Sequence, residues 1–277
     1  RKGLVVFQFT VSVMLIAGSL LVYQQLTFMQ TKNLGFQKEQ MVVLNVRGNE
    51  EVAQRGEAVK AQLEALPAVR EAAFSSSVPG GDNVYTNVIS RQEGMTDDGQ
   101  TMNMLAVDYD FIDAYGLELV QGRGFTEAMG TDTSAYVINE ATMKAIGWQT
   151  PEEAIGQNLT RQFGDTRTVI GVLKDFNYQS LQHAVEPIVL FIQPSWFNYV
   201  TLRIGTEDVP ATMAAIQQAW NTLSPGRPME SFFLDDAFDR QYRAEERIGQ
   251  VLGLFTVLAI VIACLGLFGL AAFTAEQ

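Results

Sequence analysis

Histidine and cysteine are almost missing: the 277-residue chain has one of each. A single cysteine, Cys264, excludes an intrachain disulfide, and its apolar surroundings read as those of a small buried hydrophobe rather than a reactive thiol. A single histidine, His183, makes no zinc site without Cys or carboxylate partners, and no such cluster is readable around it. Basic residues are scarce too: 19 Lys and Arg stand against 31 Asp and Glu, for a net charge of −12. That balance excludes a nucleic-acid partner, which needs cations to neutralise phosphates. It also excludes a peripheral domain held on anionic lipid by a basic patch. No G-x-x-x-x-G-K-[ST] loop is present, so no P-loop ATP site is encoded. No G-x-S-x-G nucleophile elbow is present either.

Charge is also missing locally. Charged residues make up 18% of the chain, below the roughly 25% usual for soluble proteins, and two segments account for the deficit. Gly3–Tyr23 carries no charge, and as a helix rising about 1.5 Å per residue it spans a bilayer core. A signal peptide has a shorter apolar region followed by a small-x-small cleavage site, and none follows here. Ile248–Phe273 is a longer charge-free run whose frequent glycines suit a membrane helix. Within it, Gly249 and Gly253 have the small-xxx-small spacing. Gln8, Thr10 and Ser12 in the first run have two possible partners: a neighbouring helix, or their own backbone. Arg1 and Lys2 place the start of the first helix in the cytoplasm. Residues 24–247 then lie outside, as a large acidic domain between two membrane helices. The chain begins Arg1-Lys2 and stops at Glu276-Gln277, and reads as an excerpt of a longer protein.

Between the helices, apolar runs of strand length alternate with helical patterns. "MVVLNV" and "VREAAFSSSV" read as strands around one helix that Asn49 caps and Pro67 ends, with Val52, Val59, Leu63 and Leu66 as its stripe. After the break at Pro79–Asn83 the texture turns to β. "VYTNVISRQEG" and "QTMNMLAVD" read as strands, "YDFIDAYGLEL" as a short helix, "SAYVINEATMKAIG" as a strand passing into a helix, and "PEEAIGQNL" as a helical turn. From Thr166 the first texture returns, with strands "RTVIGVL", "IVLFIQP" and "YVTLRIG". A helix then opens at Val209-Pro210 with the stripe Met213, Ile216, Trp220 and Leu223. Asp235 and Asp236 early, and Arg240, Arg243 and Arg247 late, predict one continuous helix running into the membrane.

The expected fold is α+β, with a discontinuous α/β subdomain and an inserted mostly-β subdomain. The expected boundaries are a first transmembrane helix and its exit over 1–26, a linker over 27–40, a membrane-proximal subdomain over 41–80 and 166–234, and an insert over 81–165. A stalk helix over 235–247 and a second transmembrane helix over 248–273 complete them.

Reactive letters gather in "GVLKDFNYQSLQHAVEPI", Gly171–Ile188. Ser180 and His183 share one face if helical, but a triad needs nucleophile, base and acid converging in space. The architectural reading is a turn around Lys174-Asp175-Phe176, a short helical piece, and a strand opened by Pro187. Asp108, Asp110 and Asp113 have a spacing reminiscent of a calcium loop, but Ile112 and Asp113 stand where an EF-hand needs a ligand and a glycine. Gly122-Arg123-Gly124 is too short for a dinucleotide fingerprint and reads as a turn. The adjacent pairs Asp97-Asp98, Asp235-Asp236 and Glu245-Glu246 do not face each other on a helix and read as solvated. No catalytic, cofactor-binding or metal-ligating residue is therefore expected, and no cofactor.

In this order, the segments resemble the FtsX/MacB-like permeases of ABC transporters. "RKGLVVFQFTVSVMLIAGSLLVYQQLTFMQTKNLGF" resembles the first membrane helix and exit linker. "VDYDFIDAYGLELVQGRGF" is similar to a family segment carried here by Phe111, Gly116, Leu119, Gly122, Arg123 and Phe125. "VINEA", "EEAIGQ", "VIGVLKDFNYQSLQHAVEPIVLFI" and the second apolar run match its later landmarks. The opening is most similar to the second half of a duplicated Bacteroidetes-type permease. The resemblance implies a MacB-like periplasmic core domain in a multi-pass protein of the bacterial inner membrane, with residues 24–247 periplasmic. It implies a dimeric or pseudo-dimeric permease of the type VII class, not itself an enzyme, paired with a separate cytoplasmic ABC ATPase. Its motion would serve export or control of a periplasmic partner. Its other partners are membrane lipid and a second permease half or protomer. Two rival readings share the topology: a two-pass sensor with an outer ligand-binding domain, and a membrane-anchored surface hydrolase. On the permease reading, His183→Ala leaves ATP-coupled activity of the whole transporter nearly unchanged.

Overall fold

The computed structural model describes residues 2–81, 84–91, 99–162, 164–179, 181, 184–205 and 207–275. The chain forms two units, one of residues 1–32 with 239–277 and one of residues 33–238.

The first unit holds two long helices, α1 (Lys2–Thr31) and α9 (Arg243–Ala275), packed on each other. Their spans long and apolar enough to cross a membrane are Phe9–Met29 and Arg247–Gly269. Only 6% and 11% of these spans is buried, so neither is the core helix of a water-soluble fold. The pair is held by close approach at Gly249, where a Cβ would meet Leu26 Cδ1 at 3.1 Å, and by Thr256 Oγ1 donating to Leu15 O at 3.2 Å. Gly253 faces no neighbouring atom, so half of the small-xxx-small spacing is used. Thr10 turns its hydroxyl to its own helix, on Val6 O at 2.9 Å.

Among the described residues, the second unit is built on one eleven-stranded hydrogen-bonded ladder. In chain order its elements are β1 (Met41–Asn45), α2 (Glu50–Gln54), α3 (Gly56–Glu64), β2 (Val69–Ser75), β3 (Tyr85–Ser90), β4 (Gln100–Val107), α4 (Phe111–Ala114) and β5 (Leu119–Gly122). Then come β6 (Ala135–Asn139), α5 (Glu140–Ile146), α6 (Pro151–Ala154), β7 (Asn158–Arg161), β8 (Thr166–Leu173), β9 (Ile188–Ile192), β10 (Tyr199–Ile204), α7 (Val209–Leu223), β11 (Ser231–Phe233) and α8 (Leu234–Gln241).

Strands β11-β1-β10-β2 form an antiparallel layer. Alternation along each strand sends Val42, Leu44, Ala72, Phe74, Val200 and Leu202 to one face, where α2, α3 and α7 cover them with Val52, Val59, Leu63, Ile216 and Trp220. Each fully buried large side chain there contributes about 1.5–3 kcal/mol. Caps set the helix ends: Asn49 Oδ1 accepts from Val52 N, and Asp208 Oδ1 accepts from Ala211 N at 3.0 Å. The helix expected over residues 49–66 is two helices with Arg55 between them.

The rest of the ladder closes on itself. β4 pairs with β3, β3 with β7, β7 with β8, β8 with β6, β6 with β9, and β9 with β4. This ring of strands is a small barrel. Met102, Met104 and Ala106, Tyr136 and Ile138, and Val189 and Phe191 alternate into a shared core, joined by Ile89 and Leu159. On β8 an extra residue, Ile170, lies between the partners of Tyr136 and Val137, so Val169 and Val172 both reach that core. β8 and β9 fall within residues 166–234, yet their side chains fill the barrel rather than the layer.

Three strands were not anticipated: β5, β7 and β11. Each has three or four residues, too short for alternation to register. The helix expected to run unbroken into the membrane is interrupted at Tyr242, whose N–H reaches Asp239 O at 3.1 Å. Tyr242 itself is buried.

Candidate functional site

Two short necks tie the second unit to the helices of the chain: Asn33–Gln40 after α1, and Leu234–Phe238 before α9. They meet. Phe36 and Phe238 are both buried, with ring centroids 5.6 Å apart. Phe36 also lies 6.3 Å from Tyr115, and Tyr115 packs 4.3 Å from Phe111. Leu234 and Phe238, four apart on α8, share the buried face.

Each member is held in place. Tyr115 bonds Thr201 Oγ1 of β10 through its hydroxyl at 2.8 Å, and its carbonyl accepts from Gln37 N at 2.9 Å. Burial pushes the Tyr115 phenol well above its ordinary range, so it stays neutral. Arg203 of β10 donates to the carbonyls of Asp113 and Ala114 at the end of α4, the favoured place for a cation, and pairs with Glu71 at 3.3 Å. Gly116 has φ +62, and the Gln37 side chain fills the space where its Cβ would stand. Leu34 O accepts from Asn177 N at 2.7 Å. Gly35, at φ +85, lets the neck pass so close that a Cβ would lie 2.8 Å from Phe176 Cβ.

Behind the junction lies a buried cation. Lys60 of α3 is 3% exposed and lies 3.0 Å from Asp108 Oδ2 and 3.0 Å from Glu57 Oε1; it also bonds Asp110. Asp108 Oδ2 accepts from Phe74 N at 2.9 Å as well. Burial pushes the Asp108 carboxyl up to about 6 against the pull of Lys60, and its other oxygen, Oδ1, accepts from no donor among the described residues. Burial works to lower the Lys60 ammonium, but the surrounding carboxylates raise it well above the ordinary lysine range. The spacing of Asp108 and Asp110 is thus used on a lysine ammonium.

Lys174 pairs with Glu118 at 2.9 Å on the surface. Asp175 Oδ1 accepts from Ala141 N at 2.7 Å and so caps the start of α5, while Phe176 is buried beside the neck. Ser180, His183, Asp97 and Asp98 lie outside the described residues, as do the side chains of Glu245 and Glu246. Asp235 Oδ1 accepts from its neighbour Asp236 N. Cys264 is exposed on α9 rather than buried.

The turn at Gly122-Arg123-Gly124 has a physical cause. Gly122 has φ +77, and a Cβ there would lie 2.2 Å from Ile170 O. Arg123 forks onto Asp132 with bonds of 2.6 and 2.7 Å, and Asp132 also accepts from Thr126 N at 2.8 Å. The Arg123 guanidinium holds the buried Asp132 carboxyl below its ordinary value.

Sequence reading missed Lys60, Asp132 and the Phe36–Phe238 contact. Lys60 directly follows the apolar residue Val59 of the stripe, a position that signals burial for a long side chain. The Phe36–Phe238 pairing had no local signal.

An α+β domain flanked in sequence by two long apolar helices that are little buried defines a membrane protein. The profile of the MacB-like periplasmic core domain matches residues 4–219, and the chain belongs to this family, that of the FtsX/MacB-like ABC transporter permeases. The periplasmic region of MacB from Actinobacillus actinomycetemcomitans shares its fold. The TM-score is 0.52 at 16% identity, over 77% of this chain and 97% of that one. The extracellular domain of the noncanonic ABC-type transporter YknZ from Gram-positive bacteria aligns at TM-score 0.45 and 14% identity, over 66% of this chain and 91% of that one. A domain of a putative permease protein from Porphyromonas gingivalis aligns at 0.47 and 15%, over 70% and 87%. No curated protein matches the chain.

Proposed function

We propose that this chain is the mechanotransmitting part of an ABC permease. Motion driven by a separate cytoplasmic ATPase enters through α1 and α9 and is passed to the extracytoplasmic domain, for export or for control of an extracytoplasmic partner. On this reading the protein is a multi-pass inner-membrane permease working as a dimer or pseudo-dimer, and hydrolyses no ATP itself. Its domain divides into the membrane-proximal layer and the inserted β-rich part, with the barrel drawing β8 and β9 from the second chain piece.

The observation that carries the reading is the contact of Phe36 with Phe238. Both necks converge on one aromatic cluster instead of entering the domain at separate places. A displacement of either neck therefore reaches α4 and, through Tyr115 and Arg203, the strand β10. Interiors packed to crystal-like density transmit such strain.

The test is co-purification of the full-length protein with a cytoplasmic ABC ATPase from the same organism, followed by ATP turnover of the complex. The reading expects a stable complex whose turnover comes wholly from the ATPase subunit. A chain that purifies alone, or whose C-terminal continuation is a kinase or methyl-accepting region, overturns it.

A further inference from the structure

The buried lysine cluster beside the junction does more than fill space. Asp108 is 4% exposed and Lys60 3%, and the contact joins α3 of the layer to the turn that starts α4. α4 brings Phe111, and the turn after it brings Tyr115, to the aromatic cluster. Asp108 commits one oxygen to Lys60 and to Phe74 N, and the other meets no donor among the described residues. An anionic oxygen buried without a protein donor is costly, whereas a neutral carboxyl there costs far less. We propose that Lys60 and Asp108 form a proton-linked latch that fastens α4 to α3 and tightens when Asp108 takes up a proton. The proposal rests on the junction passing motion, to which it adds regulation by extracytoplasmic acidity.

The groups facing Asp108 set the sign. From α3 comes Lys60, from β2 the backbone N–H of Phe74, and from the turn before α4 Asp110, while Glu57 and Tyr109 interact with Lys60. Tyr115 follows α4 and senses the Asp108 charge. Only Lys60 and the Phe74 N–H favour the anion, and burial outweighs them. Asp108 in the closed latch holds its proton up to about pH 6, against an ordinary value of 3.8 when the latch opens to water. Linkage then stabilises the closed form as pH falls through 6, and that gain is lost as pH rises through 6. Between pH 8 and pH 5 the closed-to-open ratio rises about tenfold.

Denaturant unfolding of the full chain in detergent tests this, followed by the fluorescence of Trp148, Trp196 and Trp220, all in the second unit. The expected result is an unfolding equilibrium constant about tenfold smaller at pH 5 than at pH 8, after subtraction of the same difference in Asp108→Asn. If Asp108→Asn does not fold, a carbon-13 titration of the Asp108 carboxyl in the unaltered protein decides instead. A midpoint near 6 supports the latch, and one near 4 overturns it. An equal pH response in the protein and in a folded Asp108→Asn also overturns it. Neither readout needs an ATPase, so their failure removes the latch and leaves the permease reading untouched.

Discussion

Asp108 in the layer and Asp132 beside the barrel are both almost fully buried, at 4% and 1% exposure, yet their proton affinities move in opposite directions. Asp132 receives a forked guanidinium on both oxygens and a backbone N–H besides. Asp108 receives an ammonium and a backbone N–H on one oxygen and, among the described residues, nothing on the other. Burial outweighs the partners at Asp108, and the forked guanidinium outweighs burial at Asp132. The same contrast separates the two regions. The barrel closes its ladder and uses Arg123–Asp132 to fasten a loop. The layer leaves β11 as an open edge and buries an incompletely satisfied charge where the two necks converge.

Four substitutions sharpen or break this contrast. Lys60→Met strands Asp108 and costs about 3–5 kcal/mol near neutral pH. The loss is smaller at pH 5, because without Lys60 the Asp108 carboxyl rises further and is neutral there. An equal loss at both pH values in chemical denaturation would break the contrast. Gly122→Val drives a Cβ into Ile170 O at a left-handed φ and costs about 3 kcal/mol. Its stability should be reduced equally at pH 5 and pH 8, since no titrating group is touched. Asp132→Asn removes the fork; with Arg123 38% exposed and screened by water, the loss is about 1–2 kcal/mol. Asp132 is held below 3.8, so its contribution is present above pH 3.8 and is lost as pH falls below it. A stability profile from pH 2 to 7 should show the unaltered protein converging on Asp132→Asn only at the acid end. Lys144→Ala removes a pair to Asp175 at 3.6 Å, with the lysine 63% exposed. It should shift the unfolding midpoint by no more than about 0.5 kcal/mol.

The membrane helices, the strands of five or more residues and the capped helices were legible because each carries a local periodicity or a local breaker. Asn49 and the Val209-Pro210 opening act within a few residues of where they stand. The barrel was not legible, because its closure depends on β4 meeting β9 in parallel, from residues far apart in the chain. The junction was half legible. Phe111, Gly116 and Phe176 stood out in motifs, but the packing of Phe36 on Phe238 joins positions near opposite ends of the chain. Asp108 was read with Asp110 and Asp113 as one acidic run. The structure divides them: Asp108 and Asp110 go to Lys60, while the carbonyl of Asp113 goes to Arg203.

Hydrogen exchange of α4 in the full-length protein assembled with the proposed ATPase tests the central claim most directly. If the necks pass motion through the aromatic junction, ATP should change the exchange of residues 111–115 in the unaltered complex. Phe36→Ala with Phe238→Ala should abolish that change while ATP hydrolysis continues. An α4 indifferent to ATP, or one that responds equally without the two phenylalanines, would contradict the account.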